Sequence, residues 1–235
     1  MRKNSEIEKG TRFGHYMDRD YCLILANGPW PTIEKVRKLA DGASEVIACD
    51  GALNRAFEHK LNVDVTIGDM DSVDEKTLEQ FSTNGGKVIE NKDQHSNDLA
   101  KAFAHCEASE QKNPVIVGGL GGDGGHEWAN ILTSISSGIA AEFIGKKKQI
   151  RILSKGINYS IEIGMGNNFS LFAIPYCEGV ELSGAQFELT GERLEMGSQG
   201  LHNVATSKNI KCSFQNGSLF LVSSLSDEDP KANGF

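Results

Sequence analysis

The stretch EVIACDGALNRAFEHKLNVDVTIGDMDS, residues 45–72, decides how the first half of the chain is read. EVIACD (45–50) and VDVTIGD (63–69) are short aliphatic and β-branched runs closed by aspartate, the pattern of strands buried on both faces. Between them Leu53, Ala56 and Phe57 recur at helical spacing. A strand, a helix and a second strand in such close succession form a crossover unit, which joins parallel neighbours.

The same alternation extends outward. YCLILA (21–26), GKVIE (86–90) and PVIVGG (114–119) are further strand candidates. Helical patterns fall between and after them: Ile33, Val36 and Leu39 behind Thr32 as a cap; Leu78 and Phe81; Leu99, Ala102, Phe103 and Cys106. A fifth helix is expected from His126 to about Ala141, with Trp128, Ile131, Leu132 and Ile135 on an apolar face and Trp128 in the core. Beyond GKKKQI (145–150) the texture changes to short alternating segments separated by Gly, Asn or Ser: QIRILS, NYSIEI, NFSLFAI, VELSG, QFELTG, RLEMG, IKCSFQNG and SLFLVSSL. The expected fold class is therefore α/β plus all-β. A doubly wound, mostly parallel sheet occupies residues 19–145, an antiparallel β-sandwich occupies 146–225, and the polar termini 1–18 and 226–235 are loose.

Composition narrows the function. Lys and Arg number 24 against 32 Asp and Glu, giving a net charge of −8, so the overall field does not attract nucleic acid and an anionic substrate needs a local cation. With no apolar leader and no apolar run long enough for a membrane span, the expected location is the cytoplasm. The five cysteines form no C-x-x-C pair, and Cys22 and Cys49 lie in strand-like runs, where a reduced thiol acts as a small hydrophobe.

Ligands of an open parallel sheet sit beyond the carboxyl ends of its strands. Those ends read ANGPWP (26–31), with Asn27 and Gly28; CDGALNRA (49–56), with Asp50 and Arg55; GDMDS (68–72), with Asp69 and Asp71; NKDQHSNDLAK (91–101), with Gln94, Asp98 and Lys101; and GGLGGDGGHEWAN (118–130). Asp69 and Asp71 repel each other unless a cation lies between them, and Mg²⁺ is the hard cation held by one or two carboxylates together with substrate phosphates. Lys101, one turn after Asp98, is either that acid's ion-pair partner or a phosphate ligand. The glycine run before a helix lets backbone N–H groups approach phosphate oxygens. GLGGDG (119–124) satisfies G-x-G-x-x-G but follows the fifth strand rather than the first, and the chain has no G-x-x-x-x-G-K-[ST], which excludes a P-loop.

Taken in order, CDGALNR, GDMDSV, DQHSNDLAK, GGLGGDGGHEWAN and, late in the β region, GSQGLHNVA (197–205) resemble the thiamine pyrophosphokinase family over roughly residues 21–225. The resemblance implies transfer of a diphosphate from Mg-ATP to the hydroxyl of thiamine, giving thiamine diphosphate and AMP, by a homodimer. Carried over, Asp69, Asp71 and Asp98 match metal positions, with Asp71 and Asp98 also catalytic. ATP contacts fall on Asn27, Gly28, Asp50, Arg55, Gln94, Lys101, Gly121, Gly122, His126 and Asn130, and thiamine contacts on His202 and Asn203. Three positions depart from the family pattern: Asp123 stands where an Arg is common, Gly125 where an Asp precedes the His, and His202 where Ser or Thr is usual. Arg55, Lys92 or Lys101 are the candidate replacements for the missing guanidinium, and KKK (146–148) reads as a solvated linker. Two other classes remain open at this stage: a dinucleotide-binding oxidoreductase, and a non-enzymatic nucleotide- or thiamine-binding regulator on the same scaffold.

Overall fold

The computed structural model describes residues 20–93, 95–109 and 113–225; the termini expected to be loose, and Gln94, lie outside the described residues. Five of its strands are those read from the sequence: β1 (Cys22–Leu25), β2 (Glu45–Cys49), β3 (Val65–Gly68), β4 (Lys87–Glu90) and β5 (Val115–Val117). They pair in parallel in the order β4-β3-β2-β1-β5. Helices α1 (Ile33–Gly42), α2 (Ala52–Glu58) and α3 (Glu75–Thr83) cover one face, and α4 (Asp98–Ala108) and α5 (Gly124–Ser137) the other. The chain reverses its direction of winding between β1 and β5, which places the switch point, and hence the expected ligand crevice, at the ends of those two strands.

A sixth parallel strand, β6 (Ala141–Ile144), which the sequence did not mark, begins where the fifth helix is expected to end, at about Ala141. The helix stops earlier because Gly138 turns left-handed with φ of 70° and caps it, a conformation that glycine adopts without steric cost. Trp128 also departs from expectation: it is 57% exposed. The buried stripe of α5 runs through Ile131, Ser134 and Ile135, so Trp128 and Leu132 stand to one side of it.

At β7 (Lys148–Leu153) pairing turns antiparallel, and β8 (Tyr159–Glu162), β9 (Asn168–Ser183), β10 (Leu189–Glu195), β11 (Gly200–Val204), β12 (Asn209–Ser213) and β13 (Asn216–Ser224) continue the sheet. The sixteen-residue β9 is the hub, pairing with β10, β11, β12 and β13. It joins NFSLFAI to VELSG, expected as separate segments, in one strand that runs through Pro175 and Gly179. The antiparallel strands close around their own core, centred on Ile161, Leu171, Val180, Leu182, Ile210 and Leu221. On the opposite face a second core runs without a break from Ile24 and Phe103 through Phe143 and Ile150 to Phe220. The parallel and antiparallel parts therefore share one sheet and, on one side, one core.

All five cysteines are buried and free. Cys22 and Cys106 lie with sulfurs 3.3 Å apart; their mutual hydrogen bond and burial push the Cys22 thiol far up, which keeps it protonated.

Candidate functional site at the switch point

A crevice of about 360 Å³ opens at the ends of β1, β2 and β5, against the first turns of α4 and α5. Its walls include Asn27, Gly28, Asp50, Asp98, Gly122, His126 and Asn130, seven of the residues selected from sequence. The β1 and β5 ends touch through backbone. Gly28 N–H donates to the Gly118 carbonyl at 3.0 Å, and a side chain at Gly28 would meet that oxygen at 2.3 Å, so only glycine fits.

Two side-chain amides hold the helices in place. Asn97 caps α4 by accepting from Ala100 N–H at 2.9 Å, and its Nδ2 donates to Asn130 Oδ1 at 3.1 Å. Asn130 in turn donates to the Gly119 carbonyl at 3.1 Å. The N-termini of both helices, with their unpaired N–H groups, are thereby fixed at the crevice. Asp123, the residue in place of an Arg, caps α5: its carboxylate accepts from His126 N–H at 3.0 Å and contacts His126 Nδ1 at 3.0 Å. The hydrogen bond from His126 N–H holds the Asp123 carboxyl below the ordinary range.

Asp98, at the first position of α4, is half-buried. Burial pushes its carboxyl up, the Lys101 hydrogen bond pulls it down, and the charges of Asp50 and Asp69 push it up again, with a net rise. Lys101 is buried, with Nζ 3.1 Å from Asp98 Oδ1. Asp50 is 8% exposed and has a left-handed backbone (φ 46°), as does Met70 between the two acids of the next turn (φ 66°). Strained non-glycine residues at two adjacent strand ends are the kind of backbone that concentrates at functional sites. Asp69 and Asp71 lie beside the crevice rather than in its wall; Asp71 N–H donates to Asp69 Oδ1 at 3.3 Å.

Among the described residues no three of His, Cys, Asp or Glu converge into a cation cage. The donor chemistry nevertheless fits Mg²⁺, which commonly takes one or two carboxylates and completes its shell with phosphate oxygens and water. Asp98 senses the charges of both Asp50 and Asp69, with the Lys101 ammonium as its counter-ion.

The remaining candidates are placed elsewhere. Arg55 donates to the Gly28 carbonyl from outside the crevice at 3.1 Å. Gly121 N–H donates to Glu127 Oε2 at 2.5 Å. His202 is exposed, with φ of 57°, on β11, and Asn203 is 6% exposed beside it. The Asn203 amide is tied to the backbone: Oδ1 accepts from Phe187 N–H and Val204 N–H, and Nδ2 donates to the Phe187 carbonyl at 2.7 Å. A larger cavity, about 550 Å³, lies on the outer face of the antiparallel half and has none of the strand-end acids.

Asn97, Glu127 and Lys148 were not anticipated. Glu127 lines the crevice and accepts both from Gly121 N–H and from Lys148 Nζ at 2.5 Å. Burial opposes its ionisation, but those two donors and the Lys148 charge together hold its carboxyl below the ordinary range. Lys148 belongs to the KKK run, whose local sequence reads as a solvated turn; only the sheet brings it to the glycine loop.

Residues 36–143 match the family model described as thiamin pyrophosphokinase, catalytic domain. Among solved structures, thiamine pyrophosphokinase from Bacillus subtilis is similar with a TM-score of 0.73 and 19% identity, covering 88% of this chain and 100% of that one. Thiamin pyrophosphokinase from Candida albicans gives 0.73 and 14% over 92% and 93% of the two chains, and the yeast enzyme 0.69 and 16% over 89% and 88%. No curated protein matches the sequence significantly. The stretch that matches the family model includes the β2 and β5 ends and the acids of the crevice but not the β1 end, so residues 36–143 are similar to the catalytic domain of thiamin pyrophosphokinases, and the fold of the chain is the one those solved structures share.

Proposed function

We propose that this chain transfers a diphosphate from ATP to the hydroxyl of thiamine, forming thiamine diphosphate and AMP. The observation that carries the reading is the crevice itself: glycine backbone, two helix N-termini and the acids Asp50 and Asp98 meet at the switch point, within the segment that matches the family model. In the reaction the thiamine oxygen bonds to the β-phosphorus, the bond between that phosphorus and the α–β bridging oxygen breaks, and AMP departs with that oxygen.

Asn27, Gly28, Gly121, Gly122, His126 and Asn130 are the residues proposed to hold the nucleotide, with Asp50 beside its phosphates. Asp69, Asp71 and Asp98 would hold Mg²⁺, which when bound neutralises phosphate charge. Asp98 or Asp71 accepts the proton of the thiamine hydroxyl, and the raised Asp98 carboxyl suits that role. Lys101, paired with Asp98, and Lys148, held through Glu127, supply the positive charge that the family places on an Arg at position 123. Thiamine is recognised between the two halves and across a homodimer, with the exposed His202 facing it and Asn203 fixing the backbone that presents it.

A second reading, nucleotide binding without transfer, is favoured by one feature. The crevice is lined by Asp50, Asp98, Asp123 and Glu127, with no Lys or Arg in its wall. Incubation with ATP, thiamine and Mg²⁺ separates the two: stoichiometric AMP and thiamine diphosphate support transfer, and retention of nucleotide without AMP supports the regulator.

A further inference from the structure

The loop from Ala26 to Pro31 has a cavity on each side. On the side facing α4 and α5 is the acidic crevice; on the side of α1 and α2 is a second cavity of about 500 Å³, reaching the β6–β7 turn. Its basic side chains are Arg55, Lys146 and His59, and no carboxylate contributes to its wall. In a chain of net charge −8 this is a marked local inversion of sign. Trp30 is buried (2% exposed) beneath this cavity and fixes its basic side chains: its indole N–H donates to the Ala26 carbonyl at 2.8 Å, the Arg55 guanidinium lies over its ring at 4.4 Å from the centroid, and the His59 ring is tilted against it at 6.4 Å. A guanidinium held in place on an indole, with an ammonium and an imidazole nearby, is suited to a phosphate group.

We propose that this cavity is a second ligand site, separate from the crevice, for an organic phosphate ester. The inference rests on the charge and shape of the cavity and stands whether or not the chain transfers diphosphate. The two sites share a wall, since Arg55 also donates to the Gly28 carbonyl and Gly28 lines the crevice.

The chain has two tryptophans, and Trp128 is remote from this wall, so Trp128→Phe leaves Trp30 as the single emitter. Titration of that protein with AMP and, separately, with thiamine diphosphate should give a saturable change in Trp30 fluorescence, transmitted through the Arg55 guanidinium on its ring, and the tighter of the two identifies the preferred phosphate ester. Lys146→Glu, on an exposed turn, should weaken that ligand about tenfold or more, as should Arg55→Gln, through loss of charge-assisted contacts. Asp98→Asn and Asn130→Ala, in the crevice, should leave the change in place. No saturable response to either ligand overturns the proposal. So does a response abolished by the crevice variants but untouched by Lys146→Glu, because the ligand is then in the crevice alone. Loss of AMP formation with this response intact would count against the transfer reaction and leave the second site standing.

Discussion

Asp98 shows how one side chain registers the whole site. Its carboxyl is raised first by burial and then by Asp50 and Asp69, so the fold favours its protonated form; that contribution to stability is present at acid pH and is lost as pH rises through the raised value. Cation binding and proton acceptance need the ionised form. Activity should therefore fall on acidification at a pH above the ordinary carboxylate range, and a pH profile of kcat/KM checks this. Asp98→Asn should lower kcat by about 100-fold or more while changing the KM for ATP much less, as steady-state kinetics would read. At the acceptor side, Asn203 and His202 should separate. Asn203→Ala removes the acceptor of two part-buried N–H groups and should cost about 1 kcal/mol or more in urea unfolding, whereas His202→Ala should leave stability unchanged and raise the KM for thiamine. The sequence marked both residues, but hydrogen bonding that divides their roles arises from Phe187, sixteen positions away, which no local pattern reveals.

At the scale of elements, the parallel half was legible because buried strands and amphipathic helices alternate with different periods, and each strand ends in Asp, Asn or Gly. The misreadings have specific causes. Gly138 ended α5 before the apolar run did, and what followed was β6 rather than more helix. In the antiparallel half, turn-forming residues lie inside β9, where register shifts and bulges absorb them, so breaks in the pattern were not breaks in the strand. Asp123 was read as the loss of a phosphate donor; the structure gives it a positive use as the cap of α5. Asp123→Arg should thus have two opposed effects: a lower unfolding temperature from the missing cap, seen in thermal unfolding, and tighter ATP binding, seen by calorimetry. Weaker ATP binding would mean that the loop faces away from the phosphates.

Across the whole molecule, one core passes under both halves on one face, while on the other a buried polar seam separates two cores. Glu142 is 2% exposed and pairs with Arg151 at 3.2 Å, with Gln149 donating to the same carboxylate, between the core around Leu25 and Ile144 and the core around Leu153 and Leu221. Removing one partner of such a pair leaves a buried charge, so Glu142→Ala should destabilise the fold by about 3 kcal/mol in equilibrium unfolding. The seam was invisible in the sequence because it depends on the antiparallel register of β6 with β7. The crevice was more accessible, since a parallel sheet gathers its strand ends at one edge and those ends carry the acids and glycines. The central claim is that this edge performs diphosphate transfer, and the most direct test is product analysis after incubation with ATP, thiamine and Mg²⁺. The account predicts AMP and thiamine diphosphate in equal amounts, both lost when EDTA is added. Formation of ADP with thiamine monophosphate, or bound ATP that yields no AMP, would contradict it.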